Sequence, residues 1–296
     1  MKKTLTIFTP TYNRAHTLSR CYESMLRQTS EDFKWLIIDD GSTDQTGELV
    51  RSWQEKEQAL EILYIFKENG GIHTAFNTAY QMIDTELNMC LGSDDYLTDD
   101  AVETILDQWR KNKSIKYAGI IALNRYQNGE IVGKELPLVQ DIHLMEYYRK
   151  GGRGDKKLIY RTEIVQSFPE YPVFEEERFL SVGYKFLLID QQYSLLVLNQ
   201  PICNVEYSPD GYTKNMNRIR VENPKGFSFV KGIELKYEYR FFHRIKLTLL
   251  YTAYSLMAGN RDYLMSTPNK FLTVLLLPLS LAVMVLLRIK AGHSVS

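Results

Sequence analysis

Short apolar runs alternate with stretches of helical periodicity along the first third of the chain. The runs predict buried strands at 5–8, 35–38, 62–66 and 89–91. Apolar residues spaced three and four apart predict helices at 18–28, 45–57, 72–83 and 100–109, each after one of these strands. Strands that alternate with helices in this way indicate an α/β fold, with a mostly parallel, twisted sheet flanked by helices on both faces.

The pattern becomes less regular beyond residue 112. It predicts a buried strand at 118–122, a short helix at 142–148, and β-like runs at 186–189, 195–198 and 202–207 that would complete the sheet. A basic and aromatic segment follows, and then long apolar stretches. We therefore predict an α/β domain over 1–213, composed of halves 1–112 and 113–213, and a helical extension over 214–296.

Acidic residues directly follow two of the predicted strands. Asp39 and Asp40 end the second strand, and Asp94 and Asp95 come shortly after the fourth. Because ligands of open α/β sheets bind at the carboxyl ends of the strands, both pairs are placed to meet one. Carboxylate oxygens are the ligands that Mg²⁺ prefers, and Mg²⁺ commonly joins one or two carboxylates to phosphate oxygens. The pattern therefore favours a site for a divalent cation and a nucleotide.

The motifs and the composition of the chain argue against several other kinds of binding site and against secretion. The five histidines show no zinc-type spacing, and neither a GxGxxG loop nor a P-loop follows any strand. Lys plus Arg equal Asp plus Glu at 36 each, which gives no electrostatic indication of nucleic-acid binding. Three scattered cysteines predict a reduced, cytosolic environment, and the apolar run before Pro10 is too short for a secretion signal.

Three motifs occur in order within the first 97 residues. They are Thr9-Pro10-Thr11-Tyr12-Asn13-Arg14, Ile38-Asp39-Asp40-Gly41-Ser42-Thr43-Asp44 and Ser93-Asp94-Asp95-Tyr96-Leu97. Together they resemble the signature of the family 2 inverting glycosyltransferases, which have the GT-A fold, and in particular of members that assemble polysaccharides. The resemblance implies that residues 1–112 bind a nucleotide sugar and that residues 113–213 bind the acceptor.

The resemblance also implies roles for individual residues around the donor. In that family the first two motifs hold the base and ribose of the nucleotide. Asp40 is therefore the expected contact of the nucleobase, and Asp39 is expected to support Asp40. Further donor contacts are expected from residues at the strand ends and around the start of the third helix: Pro10, Thr11, Tyr12, Arg14, Asn69, His73, Asn77 and Ser93.

The third motif corresponds to the DxD sequence of the family, whose last acid binds a metal ion on the donor diphosphate. That role falls on Asp94, with Asp95 beside it, and the expected cofactor is Mn²⁺ or Mg²⁺. Gly92 stands where the first acid of the DxD sequence would be. This departure leaves the predicted metal site with one carboxylate fewer.

Three consecutive acids lie among aromatic residues at 174–179. Inverting transfer needs a carboxylate that accepts the proton of the acceptor hydroxyl. By similarity to a Glu-Asp-like pair of the family, the expected base is Glu177, with Glu176 second and Glu175 third. A solvated helix start enriched in acids is the alternative for this run. The turn at 207–213 is similar to a segment near the acceptor side in polysaccharide-assembling members.

Residues 271–287 carry no charge and are bounded by Lys270, Arg288 and Lys290. As one helix they would rise about 26 Å, slightly short of the roughly 30 Å hydrocarbon core, and Pro278 interrupts them. Together with the basic segment before them, they predict a C-terminal membrane anchor, whether spanning, re-entrant or peripheral, on the cytoplasmic side of the cell membrane. A buried helical hairpin or a dimer interface is the alternative.

We therefore expect metal-dependent, inverting transfer of a sugar from a UDP-sugar to a lipid-linked or growing glycan acceptor in cell-surface polysaccharide synthesis. One alternative is a nucleotidyltransferase with a related fold. Another is an inactive, membrane-associated protein that binds nucleotide sugar or glycan, for which Gly92 is the best argument. The expected partners are the donor, the acceptor and a membrane surface; nucleic acid is not expected, and the oligomeric state is left open.

Overall fold

The computed structural model describes residues 2–57, 59–206 and 212–292, without the side chains of residues 212 and 213. In chain order the strands are β1 Leu5–Thr11, β2 Phe33–Asp39, β3 Ile62–Phe66, β4 Leu87–Cys90, β5 Tyr96–Leu97, β6 Tyr117–Arg125, β7 Asp141–Ile142, β8 Lys156–Arg161 and β9 Ser194–Asn204. The helices are α1 Ala15–Leu26, α2 Thr46–Lys56, α3 Ile72–Met82, α4 Ala101–Asn112, α5 Leu144–Arg149, α6 Thr162–Ser167, α7 Gly183–Asp190, α8 Tyr212–Glu222, α9 Pro224–Tyr237, α10 Phe241–Met257, α11 Tyr263–Ser266, α12 Lys270–Leu275 and α13 Leu277–Gly292.

The described residues form two compact units. The first comprises 2–69, 74–170 and 185–206. The second comprises 70–73, 171–184 and 212–292. Each unit therefore combines segments that are far apart in the sequence.

A mixed sheet forms the centre of the first unit. In the part of the chain that the structure describes, its strand order is β3-β2-β1-β4-β8-β6-β9-β5, and β7 pairs with β9. The first four strands of this order are parallel, but β8 is antiparallel to β4 and β6, and β5 and β7 are antiparallel to β9. The predicted α/β sheet is confirmed, although it is mixed rather than mostly parallel. The reason is that the alternation of strand and helix, which imposes parallel crossovers, ends near residue 112.

The four strands and four helices predicted before residue 112 are confirmed, as is the strand at 118–122. The strand predicted at 186–189 is wrong, because these residues lie in α7. A run of four apolar residues does not distinguish a buried strand from a turn of buried helix. The runs at 195–198 and 202–207 belong to one strand, β9, as far as Asn204, while residues 207–211 of the predicted acceptor turn lie outside the described residues.

Aromatic side chains fix the helices to the central strands of the sheet. Trp35 of β2 stacks with Trp53 of α2, whose ring centroid lies 4.3 Å from that of Tyr22 in α1. Phe8 of β1 packs edge-on against Phe76 of α3 at 5.0 Å. With this cover, all seven residues of β2 are buried. The ends of β1 and β2 therefore project from a close-packed core, which limits their movement.

Helices form the C-terminal part of the second unit. The 17-residue α10 packs along α9 and also contacts α12 and α13. The apolar segment 271–287 is divided at Leu276 into α12 and α13, so the single helix assumed for it is wrong. Pro278 explains the division, because proline is accommodated in the first turn of a helix but not in its interior. Among the described residues, no helix combines the length and the apolar character needed to cross a bilayer.

Candidate active site

The carboxyl ends of β3, β2, β1 and β4 lie side by side at one edge of the first unit's sheet. Asp40 follows β2, Tyr12 follows β1, and the segment containing Asp94 and Asp95 follows β4. The prediction that both acidic pairs lie at one edge of the sheet is therefore confirmed. Residues of the three sequence motifs are brought together here by the strand order alone.

Asp39 holds the turn that leaves β2. Its side chain is fully buried, and its two carboxylate oxygens accept hydrogen bonds from the Ser42 backbone N–H at 2.8 Å and from the Tyr64 hydroxyl at 2.6 Å. Burial and this hydrogen bond raise the pKa of Tyr64, which keeps the phenol in its donating form. Asp39 thus has two donors that fix its orientation within the sheet edge.

Asp40 is buried next to a cation that the sequence reasoning missed. The Lys67 ammonium donates to the Asp40 Oδ1 at 2.6 Å, and the Asn69 side-chain amide donates to the Asp40 carbonyl at 2.8 Å. Gly41 has a φ of +86°, and a Cβ there would lie 2.8 Å from the Asn69 backbone nitrogen, so only glycine fits. The signal for Lys67 was its place directly after β3, at the same edge as the acids.

The loops after β1 and β2 are joined through Asn13, which has a φ of 52°. Its side-chain oxygen accepts from the backbone N–H groups of Thr43 at 2.8 Å and Asp44 at 3.3 Å, and its own N–H donates to the Ser42 hydroxyl at 2.8 Å. Neither Ser42 nor Thr43 caps α2 with its side chain, because both residues bond to Asn13 in the neighbouring loop. The N-cap of α2 is Gln45, without a side-chain cap bond.

Replacing Asn13 by Gly is expected to lower the free energy of unfolding by about 1–2 kcal/mol, because two backbone donors lose their acceptor while the positive φ is still allowed. Asn13→Ala should cost about 1 kcal/mol more, since alanine resists this φ. Asn13→Asp retains the accepting oxygen and is the control, expected to lie near wild type. Urea unfolding of the three variants measures these differences, and equal values for Gly and Asp would contradict the role of the side-chain oxygen.

Thr11 ends β1 with a buried hydroxyl. Its Oγ1 has no hydrogen-bond partner among the residues that the structure describes. A buried polar group without a partner costs about 1–3 kcal/mol, and each such group in a folded protein calls for an explanation. Its place at the strand edge, opposite Asp39 in register, is consistent with a polar ligand that completes it.

The turn after β4 brings two carboxylates close to Gly92. A Cβ on Gly92 would lie 3.0 Å from the Asp94 Oδ1 and 3.1 Å from the Asp95 Oδ2. Both oxygens thus converge on the space that a side chain at position 92 would occupy. Asp95 thus provides the second carboxylate near Asp94, although Gly92 occupies the position of the first acid of the DxD sequence.

Asp95 is also paired with Lys157, which the sequence reasoning missed. The ammonium of this lysine lies 3.2 Å from the Asp95 Oδ2, and both side chains are largely buried. Lys157 comes from the beginning of β8, which is antiparallel to β4 and so places this residue at the carboxyl end of β4. Its signal in the sequence was a charged residue directly before the apolar run 158–160.

Asp94 is the less neutralised of the two acids. Burial and the adjacent Asp95 carboxylate raise the pKa of Asp94, whereas Arg14 and Lys157 favour its charged form. Two carboxylates and a phosphate-bearing ligand form a donor set that suits Mg²⁺ or Mn²⁺. Within the described ranges, no group of three or more His, Cys, Asp or Glu side chains could hold a metal by itself, so a ligand would have to supply further oxygens.

Gly92→Ala is expected to weaken binding of a divalent cation in the presence of UDP by roughly tenfold or more, because the new methyl group displaces both carboxylate oxygens. Gly292→Ala is the matched control, since a Cβ there meets no atom within 4 Å. Calorimetric titration with Mn²⁺ in the presence of UDP measures the difference. Equal affinities in the two variants would exclude convergence of the carboxylates on this space.

The predicted base lies in the second unit, in the turn before α7. Glu177 is buried, and its two carboxylate oxygens accept hydrogen bonds from the backbone N–H groups of Lys225 at 2.6 Å and Gly226 at 2.7 Å, in the first turn of α9. Burial raises the pKa of Glu177, while these two donors lower it, and the net direction is upward. Glu176 is exposed and has a φ of 68°, which is rare for a residue with a side chain.

The other predicted donor contacts divide between the two units. The first unit contains those at the ends of β1 and β4, before α3 and within α3, namely Pro10, Thr11, Tyr12, Arg14, Asn69, Asn77 and Ser93. The second unit contains His73, which is buried at the start of α3. The donor, metal and base assignments of all these residues stay predictions.

Comparisons with known proteins identify the family. The chain is 37 % identical over 124 residues to the chondroitin synthase of Pasteurella multocida, which covers 42 % of this chain but only 12 % of the synthase. Residues 1–349 of S. aureus TarS, in complex with UDP-GlcNAc, give a TM-score of 0.56 at 16 % identity, over 88 % of this chain and 75 % of that one. The mannosyltransferase PcManGT from Pyrobaculum calidifontis, in complex with GDP-Man and Mn²⁺, gives 0.55 at 14 % identity, over 100 % and 85 %.

These two structural similarities support the fold alone, because the identities are low. The model of the family described as Glycosyl transferase family 2 matches residues 6–166, which is more than half of the chain and includes β1 to β8 with all three motifs. The chain therefore belongs to glycosyl transferase family 2.

Proposed function

We propose that this protein transfers a sugar, with inversion at the anomeric carbon, from a UDP-sugar to a growing or lipid-linked glycan in polysaccharide synthesis. The observation that carries the proposal is the convergence of the three motifs on one sheet edge, where two carboxylates approach a common space beside Gly92. UDP-GlcNAc in the TarS complex and the name of the chondroitin synthase support the donor class and the polymer context.

The nucleotide is proposed to lie across the ends of β1 and β2. Thr11 offers a buried hydroxyl without a partner in the described part of the chain, and Asp40 offers a carboxylate positioned by Lys67. Arg14, which acts electrostatically on Asp94, is suited to a phosphate because a guanidinium offers several donors in a planar arrangement that matches phosphate oxygens. These residues bind and orient the donor before transfer.

Asp94 and Asp95 would hold the divalent cation. When bound, Mg²⁺ or Mn²⁺ supplies positive charge that stabilises the departing diphosphate. Lys157 keeps Asp95 in place, and the absence of a side chain at Gly92 leaves room for both carboxylates. The Mn²⁺ in the PcManGT complex supports this choice of ion.

Glu177 is proposed to accept the proton of the acceptor hydroxyl as the new glycosidic bond forms. Its backbone donors use one acceptor direction on each oxygen, which leaves a second on each for the proton. The raised pKa that burial gives Glu177 improves its efficiency as a base near neutral pH.

The decisive experiment identifies the products formed from nucleotide sugars with Mn²⁺ and a glycan acceptor. Free UDP together with an extended glycan of inverted configuration is the expected result. Release of pyrophosphate would overturn the proposal in favour of a nucleotidyltransferase. Tight donor binding without turnover, over a panel of acceptors, would favour an inactive binding protein.

A further inference from the structure

The polarity of the last two helices is reversed with respect to a helix that faces water. Six large apolar side chains form an exposed face on α12 and α13, and we refer to them as the outer face: Phe271, Leu275, Leu279, Val285, Leu286 and Ile289. Phe271 is 79 % exposed, and Leu279 and Leu286 are 58 % and 55 % exposed. A helix of a water-soluble domain normally buries such side chains.

Small polar residues occupy the opposite, buried side of the same helices. Thr273 and Ser280 are fully buried, and their hydroxyls donate to the carbonyls of Asn269 at 2.8 Å and Leu276 at 3.0 Å, one turn earlier. The α10 helix, which packs against α12 and α13, likewise buries Thr248, Thr252 and Ser255. Small and hydroxyl-bearing residues between helices, with large apolar residues outside, are typical of helices in an apolar medium.

The outer face of α13 is a continuous stripe. At 3.6 residues per turn, Leu279, Leu286 and Ile289 follow one another along one side of the helix. Arg288 and Lys290 lie on the two flanks of Ile289, and Lys270 begins α12. No Asp or Glu occurs in the sequence after Asp262, so the charged residues of α12 and α13 are all basic.

We propose that the outer face binds the surface of an anionic lipid membrane, with α12 and α13 lying along the surface rather than crossing it. The apolar side chains enter the boundary between headgroups and acyl chains, and the three cations remain at the level of the anionic headgroups. A second copy of the chain is a poorer occupant, because self-docking of this face would bring the cations of two α12–α13 segments together. This inference does not depend on the proposed sugar transfer.

Co-sedimentation of the full chain with lipid vesicles tests the proposal. Vesicles of phosphatidylcholine mixed with phosphatidylglycerol are expected to bind the protein, and phosphatidylcholine alone should bind it at least about tenfold more weakly. Leu279→Ser combined with Leu286→Ser should lower partitioning into the mixed vesicles at least about tenfold. Arg288→Gln combined with Lys290→Gln should remove most of the preference for anionic lipid.

The control replaces two apolar residues of the first unit that are even more exposed, Ile115→Ser combined with Leu138→Ser, and should leave partitioning unchanged. Circular dichroism verifies that each variant retains its helices. Equal partitioning of the Leu279/Leu286 variant and this control would overturn the proposal. A dimer that dissociates in the Leu279/Leu286 variant, without vesicle binding by the parent chain, would overturn it in favour of a second copy.

Discussion

Replacing Asp94 by Asn is expected to lower sugar transfer by roughly 10²- to 10³-fold, because the charge that develops on the departing diphosphate loses its electrostatic stabilisation. The variant should also lose the increase in melting temperature that Mn²⁺ and UDP give together to the parent protein. Product formation and thermal unfolding, each with and without Mn²⁺, measure the two effects. Asp107→Asn, an exposed acid of α4, is the control and should behave as the parent.

The stability of the metal-free Asp94→Asn variant separates a site defect from a folding defect. Burial and Asp95 raise the folded-state pKa of Asp94 above its usual 3.8, so its ionisation opposes folding. The contribution of Asp94 to the free energy of unfolding is most favourable at pH values below 3.8, where the carboxyl group is protonated in both states. This contribution is lost as the pH rises through the folded-state pKa. At neutral pH the metal-free variant should therefore melt at the same temperature as the parent or higher. A lower temperature, or a retained response to Mn²⁺, would exclude the assignment.

Glu177→Gln is expected to reduce transfer by roughly 10²- to 10⁴-fold while leaving UDP-sugar affinity nearly unchanged, because the amide keeps the size but not the basicity of the carboxylate. The amide has a single accepting oxygen, so one N–H of α9 loses its partner, at a cost of about 1–3 kcal/mol. Rates must accordingly be compared below the melting temperature of the variant. Single-turnover transfer and calorimetric donor binding provide the two readouts.

The control for Glu177→Gln is Glu176→Gln, which alters a neighbouring exposed acid. Activity in the first variant and loss in the second would move the base to Glu176, and activity in both would place it elsewhere. Burial raises the pKa of Glu177 above its usual 4.5, so transfer should fall on the acid side at a higher pH than an ordinary glutamate would give. The pH dependence of kcat/KM in the parent protein measures this limb.

The sheet edge and its acids could be predicted because two local patterns determine them. A buried strand followed by a helix specifies a parallel crossover, and the crossover places the next strand end at the same edge. Asp40 and Asp94 therefore come to one edge whatever fills the core. The same logic explains why the predicted bounds of the first four strands and helices lie within a few residues of the observed bounds.

The partners of these acids could not be predicted, because they depend on which strands become neighbours. Lys157 reaches Asp95 only because β8 lies beside β4 in the antiparallel direction. Nothing near Lys157 in the sequence specifies this pairing of strands. Whether Gly92 is compatible with two carboxylates likewise depends on the positions of the Asp94 and Asp95 side chains in space. The error at 186–189 has a local cause, since four apolar residues suit a buried turn of helix as well as a strand.

The late position of β9 in the sequence has a consequence for synthesis on the ribosome. β6 is bordered by β8 on one side and by β9 on the other, and eight of its nine residues are buried. Until residue 204 has emerged from the exit tunnel, the nascent chain carries a long apolar strand with one unpaired edge. Such an edge recruits strands from other chains, so a fragment cut where the family match ends, at residue 166, would be prone to aggregate. The autonomously folding piece must extend through β9, although the family match does not.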